Sequence, residues 1–152
     1  MFRLASKNDY IQFKNLMNQV HKIHHAGLPS FYKEKMEEFP MEQYLEEINS
    51  ENIHVLIEDG KMIGFSYSNI IQIQDNPAIL DHSFLYIIDI CVDEKYRRKG
   101  YGKYIYNELI KINKEKGCKA IKLDVYEFNK AAIKFYQKIG LKTEKISMNI
   151  EI

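Results

Sequence analysis

The chain has 152 residues, of which 45% are hydrophobic, and it carries 22 basic against 21 acidic side chains. This length predicts one domain, residues 1–152, that buries enough surface to fold without a disulfide or a structural metal. The net charge of +1 excludes a general attraction to nucleic acid or to an anionic membrane. Any charged partner must therefore be recognised by a local cluster of residues.

The two cysteines, Cys91 and Cys118, are too few for a disulfide framework and lack the spacing of a metal site. No apolar run reaches the roughly 18–20 residues of a membrane span, and the first residues show no apolar segment of signal-peptide length. These features predict a cytoplasmic protein with reduced thiols, without a bound metal and without a membrane or nucleic-acid partner.

Apolar periodicity and turn residues divide the chain into helices and strands. The first half predicts a strand at Phe2–Ala5, a helix at Lys7–His24, an irregular segment at Ala26–Pro40, a helix at Met41–Ile48 and a hairpin of Ile53–Ile57 with Met62–Ile73. The second half predicts strands at Phe84–Val92, Ala120–Val125 and Ile146–Ile150, with helices at Tyr101–Lys116 and Asn129–Ile139 between them. This mixed order predicts an α+β domain whose sheet is covered by helices.

The most informative local feature is the basic turn, Arg97–Lys103, between a buried strand and a helix. It holds four cationic side chains and two glycines within seven positions. Glycines let the backbone approach a ligand closely, and the N-terminus of a helix adds about half a positive charge. Basic side chains at the N-terminus of a helix indicate a phosphate or pyrophosphate ligand. The alternative is a basic turn that is only solvated. The pattern is neither a P-loop nor a dinucleotide fingerprint.

A second segment of the sequence favours the phosphate ligand over a merely solvated turn. Asn129, Ala132, Tyr136 and Gly140 are three or four residues apart and so lie on one face of the predicted helix. Together the two segments resemble the GNAT superfamily of acetyl-CoA-dependent N-acetyltransferases. The pattern [QR]-x-x-G-x-[GA] matches Arg97–Gly102, and V-x-x-x-N-x-x-A-x-x-x-Y-x-K-x-G-[FL] matches Val125–Leu141. One departure is Arg98, which stands where the family often has glycine.

The resemblance implies a single GNAT-like domain with a mixed, mostly antiparallel sheet of six to seven strands and four or so helices. In that family the strand equivalent to Phe84–Val92 is splayed from the one equivalent to Ala120–Val125. The pantetheine arm of coenzyme A would then pair with the free backbone of Ile90 and Val92. An amide near Ile90 or Cys91 would polarise the thioester carbonyl.

The resemblance also implies further contacts to acetyl-CoA. The turn would bind the pyrophosphate, with a contact set of Arg97, Arg98, Lys99, Gly100, Tyr101, Gly102 and Lys103. Asn129 would bond the pantetheine arm, and Ala132 and Tyr136 share its helix face. By position Asn129 is also an ordinary helix N-cap, and one residue can serve both roles.

Two residues are candidates for proton transfer. By resemblance Tyr136 is the general acid that protonates the departing thiolate, although a lone tyrosine is by default a core residue. Asp89 interrupts the apolar run LYII-D-ICV, and a carboxylate in a buried strand is costly unless paired. It is a candidate base for the amine or an attractor of a cationic substrate. The alternative is a hydrogen bond to the backbone at a strand distortion.

Other reactive side chains are interpreted as structural. Cys91 has no histidine neighbour in the sequence and is expected to be a small buried apolar side chain rather than an acyl-carrying nucleophile. His21, His24 and His25 lie at a helix end, where histidine is common. The stretch His21-x-x-His24 followed by Pro29 and Phe31 resembles one that borders the acceptor site in some bacterial members of the superfamily.

The leading interpretation is an N-acetyltransferase that acts directly on a primary amine of a small molecule or of a protein. A non-catalytic coenzyme A-binding sensor of the same fold and a nucleotide-binding protein are alternatives from other classes. Residues that choose the acceptor are expected in His24–Pro40 and Ile70–His82. An acidic cleft would indicate a cationic small molecule, and an open groove a peptide. A homodimer is also compatible with the sequence, because exposed strand edges often pair in such folds.

Overall fold

A computed structural model describes residues 1–152 and shows one sheet of five strands in the order β1-β2-β3-β4-β5. The strands are β1 at Phe2–Leu4, β2 at Ile53–Glu58, β3 at Lys61–Ile73, β4 at His82–Val92 and β5 at Ala120–Leu123. Neighbouring strands are antiparallel except for β4 and β5, which are parallel. The predicted α+β class with a mixed, mostly antiparallel sheet is confirmed.

Four α-helices accompany the sheet, each close to its predicted position. They are α1 at Tyr10–Gly27, α2 at Met41–Asn49, α3 at Tyr101–Glu115 and α4 at Lys130–Lys138, and short 3-10 turns occupy Lys7–Asp9 and Glu94–Tyr96. None of these helices combines the length and the apolar character that crossing a membrane would require.

The two faces of the sheet carry separate apolar cores. On one face Phe13 of α1 and Tyr44 of α2 pack with strand residues, and we call this the α1 core. On the other face Ile105 and Leu109 of α3 pack with residues such as Leu85 of β4, and we call this the α3 core. A central strand covered by helices on both sides must be apolar on both faces, which is the pattern seen in the sequence of β4.

The prediction of six to seven strands is wrong, because the structure has five. The segment Ile146–Ile150 alternates apolar and polar residues but forms no strand. Its apolar side chains are almost fully exposed, at 80% for Ile146, 89% for Met148 and 82% for Ile150. Alternation stabilises a strand only when one face is buried and the backbone is paired, and neither condition is met here. β5 is also shorter than predicted, since it ends at Leu123 rather than Val125.

Strand β4 contains a β-bulge at Ile88. Tyr67 of β3 pairs with Asp89, whereas the next residue, Ser68, pairs with Ile87. Ile88 is therefore an extra residue without a partner in β3, and its side chain is exposed. A bulge of this kind bends its strand and increases the local twist.

The bulge reverses the alternation of side chains along β4. The residues that pack toward the α3 core are odd-numbered before the bulge and even-numbered after it: Leu85, Ile87, Ile90 and Val92. Cys91, by contrast, lies in the α1 core. Because side chains two residues apart share a face, Asp89 is placed on the α1 side together with Cys91.

Candidate active site

The site begins where β4 and β5 separate. The two strands pair from Phe84 with Ala120 to Ile87 with Leu123. Beyond Ile87 the strand β4 continues to Val92 with no partner on the β5 side, and the chain after Leu123 leaves the sheet. We call this opening the strand split. Its start coincides with the bulge, so the bend in β4 and the loss of pairing occur at the same place.

The basic turn follows the end of β4 and leads directly into α3. Gly100 is the N-cap of α3 and has a φ of 89°, a left-handed conformation that favours glycine. Arg98 also has a positive φ, of 64°. A left-handed backbone suits the glycine that the resembling motif often has at this position. Arg98 adopts the same conformation, and its side chain is exposed.

The first amides of α3 are free to bind a ligand. The first hydrogen bond of the helix runs from the amide of Tyr104 to the carbonyl of Gly100, and no side chain caps this end. The amides of Tyr101, Gly102 and Lys103 therefore have no acceptor within the helix. With the dipole of α3 they form a positive, donor-rich surface suited to a phosphate.

The basic side chains of the turn are not equivalent. Arg97 is turned back, because its Nε donates to the carbonyl of Val92 at 2.9 Å. Arg97 and Val92 thus use part of their hydrogen-bonding capacity on each other. The ammonium of Lys99 lies over the ring of Tyr96, 5.3 Å from its centroid. Lys103 is exposed and forms no ion pair, so its charge is available to a ligand.

Asp89 lies in the same cleft as the basic turn, at the strand split. Its side chain is half-buried and has neither an ion-pair partner nor a hydrogen-bond donor in the chain. Burial raises the pKa of Asp89 to about 6. The bulge at Ile88 lies next to Asp89, but the carboxylate of Asp89 accepts no hydrogen bond from the backbone there. The position is that of a group that takes up and releases protons near neutral pH.

Tyr136 projects from α4 into this cleft. Burial, followed by the charge of Asp89, raises the pKa of Tyr136 to about 12. The phenol is therefore protonated at neutral pH and close enough to Asp89 to sense its charge. The structure thus brings together the two residues that the sequence predicts for proton transfer.

Asn129 is the N-cap of α4, as its position in the sequence suggests. Its side-chain oxygen accepts from the amide of Ala132 at 3.2 Å. Its side-chain nitrogen has no acceptor in the chain and can donate to a ligand. Ala132 is half-buried on the cleft side, where a small side chain leaves room beside the helix.

The reactive side chains interpreted as structural are engaged elsewhere. Cys91 is only 3% exposed, and its thiol lies 3.6 Å from the carbonyl oxygen of Leu16 in the α1 core. Burial raises the pKa of Cys91 to about 12, so the thiol is protonated at neutral pH. His21 and His25 bond to the carbonyl oxygens of Lys33 and Tyr32. No three His, Cys, Asp or Glu side chains are grouped so as to hold a metal.

Sequence reasoning missed one cluster, which we call the aromatic bridge: His24, Tyr32, Tyr126 and Phe128. The hydroxyl of Tyr32 donates to that of Tyr126 at 2.8 Å, and the ring of His24 stacks on Tyr32 with centroids 5.1 Å apart. Phe128 stacks on Tyr126 at 5.3 Å. The two tyrosines are 94 residues apart in sequence, so no local spacing signals their contact. The histidine stretch and the predicted acceptor segment His24–Pro40 indicate one side of this cluster, but no sequence signal indicates Tyr126 or Phe128.

Comparison with known proteins supports a family assignment. Residues 17–141 match the family described as "Acetyltransferase (GNAT) family". This range contains β4, the basic turn, the strand split and α4, so every predicted site residue lies within it.

Curated relatives align with most of the chain. It is 26% identical over 138 residues to the ribosomal protein bS18-alanine N-acetyltransferase of Escherichia coli (strain K12), an alignment that covers 88% of this chain and 86% of that protein. It is also 26% identical over 155 residues to an N-alpha-acetyltransferase of Sulfurisphaera tokodaii, with 95% and 88% covered.

Solved structures show the same fold. The tetramutant of a Bacillus halodurans protein superposes with a TM-score of 0.94 at 27% identity, covering 100% of this chain and 99% of that one. An aminoglycoside N-acetyltransferase in complex with CoA superposes with a TM-score of 0.73 at 17% identity over 100% and 99% of the two chains. With the matched family spanning the whole site, the chain belongs to the GNAT acetyltransferase family, acyltransferases that use acetyl-CoA.

Proposed function

We propose that this protein is an N-acetyltransferase that passes the acetyl group of acetyl-CoA directly to a primary amine of a small molecule or of a protein. The observation that carries the proposal is the placement of Asp89 and Tyr136 in one cleft with the basic turn. A non-catalytic coenzyme A sensor would need the turn but would have no use for a partnerless carboxylate beside a buried phenol. The pair therefore favours catalysis.

The chain offers a fitting site for an extended, phosphate-bearing cosubstrate. The amides of Tyr101, Gly102 and Lys103 would hold the pyrophosphate, aided by the charges of Arg98 and Lys103. Gly100, Lys99 and Arg97 shape the turn and add to its positive potential. The three amides fit the pyrophosphate because they donate no hydrogen bond within the chain.

The strand split would hold the pantetheine arm. Beyond Ile87 the β5 side of β4 has no partner, so the backbone of Ile90 can pair with an extended ligand. Val92 contributes less, because its carbonyl is already bonded by Arg97. Across the split, the free side-chain nitrogen of Asn129 can donate to the same arm, beside the small Ala132.

Acetyl-CoA supplies the activated acetyl group, and the chain supplies the proton transfers. Asp89, largely ionised above pH 6, accepts a proton from the amine nitrogen as the new C–N bond forms, directly or through a water molecule. As the C–S bond breaks, the Tyr136 hydroxyl donates its proton to the sulfur. The amine has then lost one proton and the thiol has gained one.

Return of a proton to Tyr136 completes the cycle. A phenol whose pKa is about 12 is a weaker acid than a thiol of pKa about 8.5, so a phenolate cannot persist. Protonated Asp89, with a pKa near 6, is a far stronger acid and would resupply the proton, directly or through a water molecule. The two groups thus relay one proton from nitrogen to sulfur.

The proposal is tested by measuring thiol release from acetyl-CoA with a panel of primary amines, alongside acetyl-CoA binding by calorimetry. We expect amine-dependent thiol release that is lost in Tyr136→Phe and retained in Tyr104→Phe, a tyrosine exposed on α3 outside the cleft. Binding of acetyl-CoA without turnover of any amine would refute the proposal in favour of a sensor. A larger thermal shift with ATP than with coenzyme A would favour a nucleotide-binding protein.

A further inference from the structure

The aromatic bridge joins the two walls of the cleft on the α1 side. Tyr32 belongs to the segment after α1, and Tyr126 to the segment after β5, so their hydroxyl contact spans the opening. Phe128 presses against the backbone of Gly27, where a Cβ atom would lie 2.2 Å from its ring. Because the walls touch at these two points, a folded polypeptide could lie across the opening only by displacing the contacts. A thin, unbranched molecule makes the smallest demand of this kind.

The bridge is chemically suited to a cation. His24, Tyr32 and Tyr126 present three rings whose centroids are 5.1 to 6.0 Å apart, and no lysine or arginine lies among them. The faces of such rings attract ammonium groups. Burial and the Tyr126 hydroxyl raise the pKa of Tyr32 to about 12, and the charge of Asp89 contributes. Tyr32 is therefore uncharged at pH 7 and close to a carboxylate.

Two carboxylates on this side of the cleft have no ion-pair partner in the chain. Asp89 has no ion-pair partner, and neither has Asp124, which accepts only from the hydroxyl of Tyr86 at 3.0 Å. Both carboxylates raise the pKa of Tyr86, so both lie near it. The opposite end of the cleft holds the basic turn. The cleft is thus divided into a positive end for phosphate and a negative, aromatic end for the acceptor.

We propose that the aromatic bridge and Asp89 form the acceptor subsite and that its substrate is an unbranched aliphatic diamine or polyamine. One nitrogen lies at Asp89, where it is acetylated, and a second, charged nitrogen lies against the rings of Tyr32 and Tyr126. This inference rests on the proposed N-acetyltransferase function and names the class of its acceptor.

The experiment compares three acceptors at one pH and one ionic strength: 1,4-diaminobutane, n-butylamine and a peptide with a free N-terminal alanine. Butylamine has the same chain as the diamine but lacks the second charge. We expect a kcat/KM for the diamine, corrected for its two equivalent nitrogens, about tenfold or more above that for butylamine, since the second ammonium is attracted both by the faces of two rings and by the nearby carboxylates. The peptide should be the poorest substrate.

Variants test whether the bridge is the source of this preference. Tyr126→Leu should reduce the ratio of diamine to butylamine kcat/KM about fivefold or more, because it removes a ring that binds the second charge. Tyr104→Leu is the matched control, since Tyr104 is 43% exposed against 39% for Tyr126 but lies outside the cleft. If Tyr126→Leu does not fold by circular dichroism, Tyr32→Leu provides the same ratio.

The outcomes separate this inference from the proposed function. A peptide preference, equal kcat/KM for the diamine and butylamine, or a ratio that persists in both bridge variants would overturn the diamine subsite while N-acetylation still stands. Acetyl-CoA binding without thiol release for any acceptor would overturn both. A ratio that falls in Tyr126→Leu but not in Tyr104→Leu supports the subsite.

Discussion

Replacing Asp89 by asparagine should make the protein more stable while making it a poorer enzyme. The amide side chain would keep the shape and polarity of the carboxylate but remove a charge that no residue of the chain compensates. In a buried setting the charged form is the disfavoured one, and burial accordingly raises the pKa of Asp89 from its usual 3.8 to about 6. The carboxylate therefore weakens the fold whenever it is ionised.

The size of the effect follows from that pKa difference. One pKa unit corresponds to about 1.4 kcal/mol, so the difference between 3.8 and about 6 amounts to about 3 kcal/mol. This is an upper value, because Asp89 is half-buried and water screens part of its charge. For a domain of this length about 3 kcal/mol corresponds to an increase in Tm of about 6–12 °C.

The gain should depend on pH in a definite direction. Above pH 6 Asp89 is ionised in both the folded and the unfolded chain, so the full penalty applies and Asp89→Asn is more stable. Between pH 6 and 3.8 the folded protein takes up the proton more readily, and the advantage of the variant falls. Below pH 3.8 both states of the wild type are neutral at this residue, and the difference vanishes.

Thermal unfolding monitored by circular dichroism at about pH 8, 6 and 4 measures this dependence. Asp59→Asn is the control, because Asp59 is exposed in the β2–β3 turn and its charge costs the fold little. An unchanged or lower Tm for Asp89→Asn at the highest pH, or a gain of equal size at the lowest, would show that Asp89 is not an uncompensated buried charge.

Three further predictions concern activity and binding. The kcat/KM of the wild type should fall below about pH 6 as Asp89 is protonated. In Asp89→Asn this fall at acidic pH should be absent. A profile that keeps it would exclude Asp89 as the base. Tyr136→Phe should lower kcat about 100-fold with less than about a twofold change in the acetyl-CoA Kd; unchanged turnover would exclude it as the acid. Gly100→Ala should cost about 1–2 kcal/mol in unfolding free energy and weaken acetyl-CoA binding in calorimetry. Gly117→Ala, also at a positive φ, should cost similar stability without affecting binding, and equal losses of affinity would contradict this.

Most of the fold could be predicted because its signals are local. Helical periodicity, the Asp59-Gly60 turn and glycines such as Gly117 mark element ends within a few residues. The segment Ile146–Ile150 shows the limit of such signals. Its alternation is that of a strand, yet strand formation depends on a partner that the sequence does not reveal, and the structure provides none.

The site could be predicted only where its residues follow one another along the chain. The basic turn and the helix face of Asn129 and Tyr136 are short-range patterns and were found. The contact of Tyr32 with Tyr126 depends on how two irregular segments meet, and such segments carry no periodicity to place them. Asp89 stands out in the sequence as a charge among apolar residues, but only the structure shows that it has no partner.

The bulge at Ile88 makes the number of residues in β4 a functional property, separate from their identity. Substituting Ile88 would leave the count intact, so Asp89 would stay on the α1 side while Ile90 and Val92 would still face α3. Deleting the Ile88 codon would remove the extra residue and join Ile87 directly to Asp89, so plain alternation would keep these side chains on their present faces, while the bend at the strand split would be lost. A series of point mutants along this strand would therefore miss a determinant that a single in-frame deletion exposes.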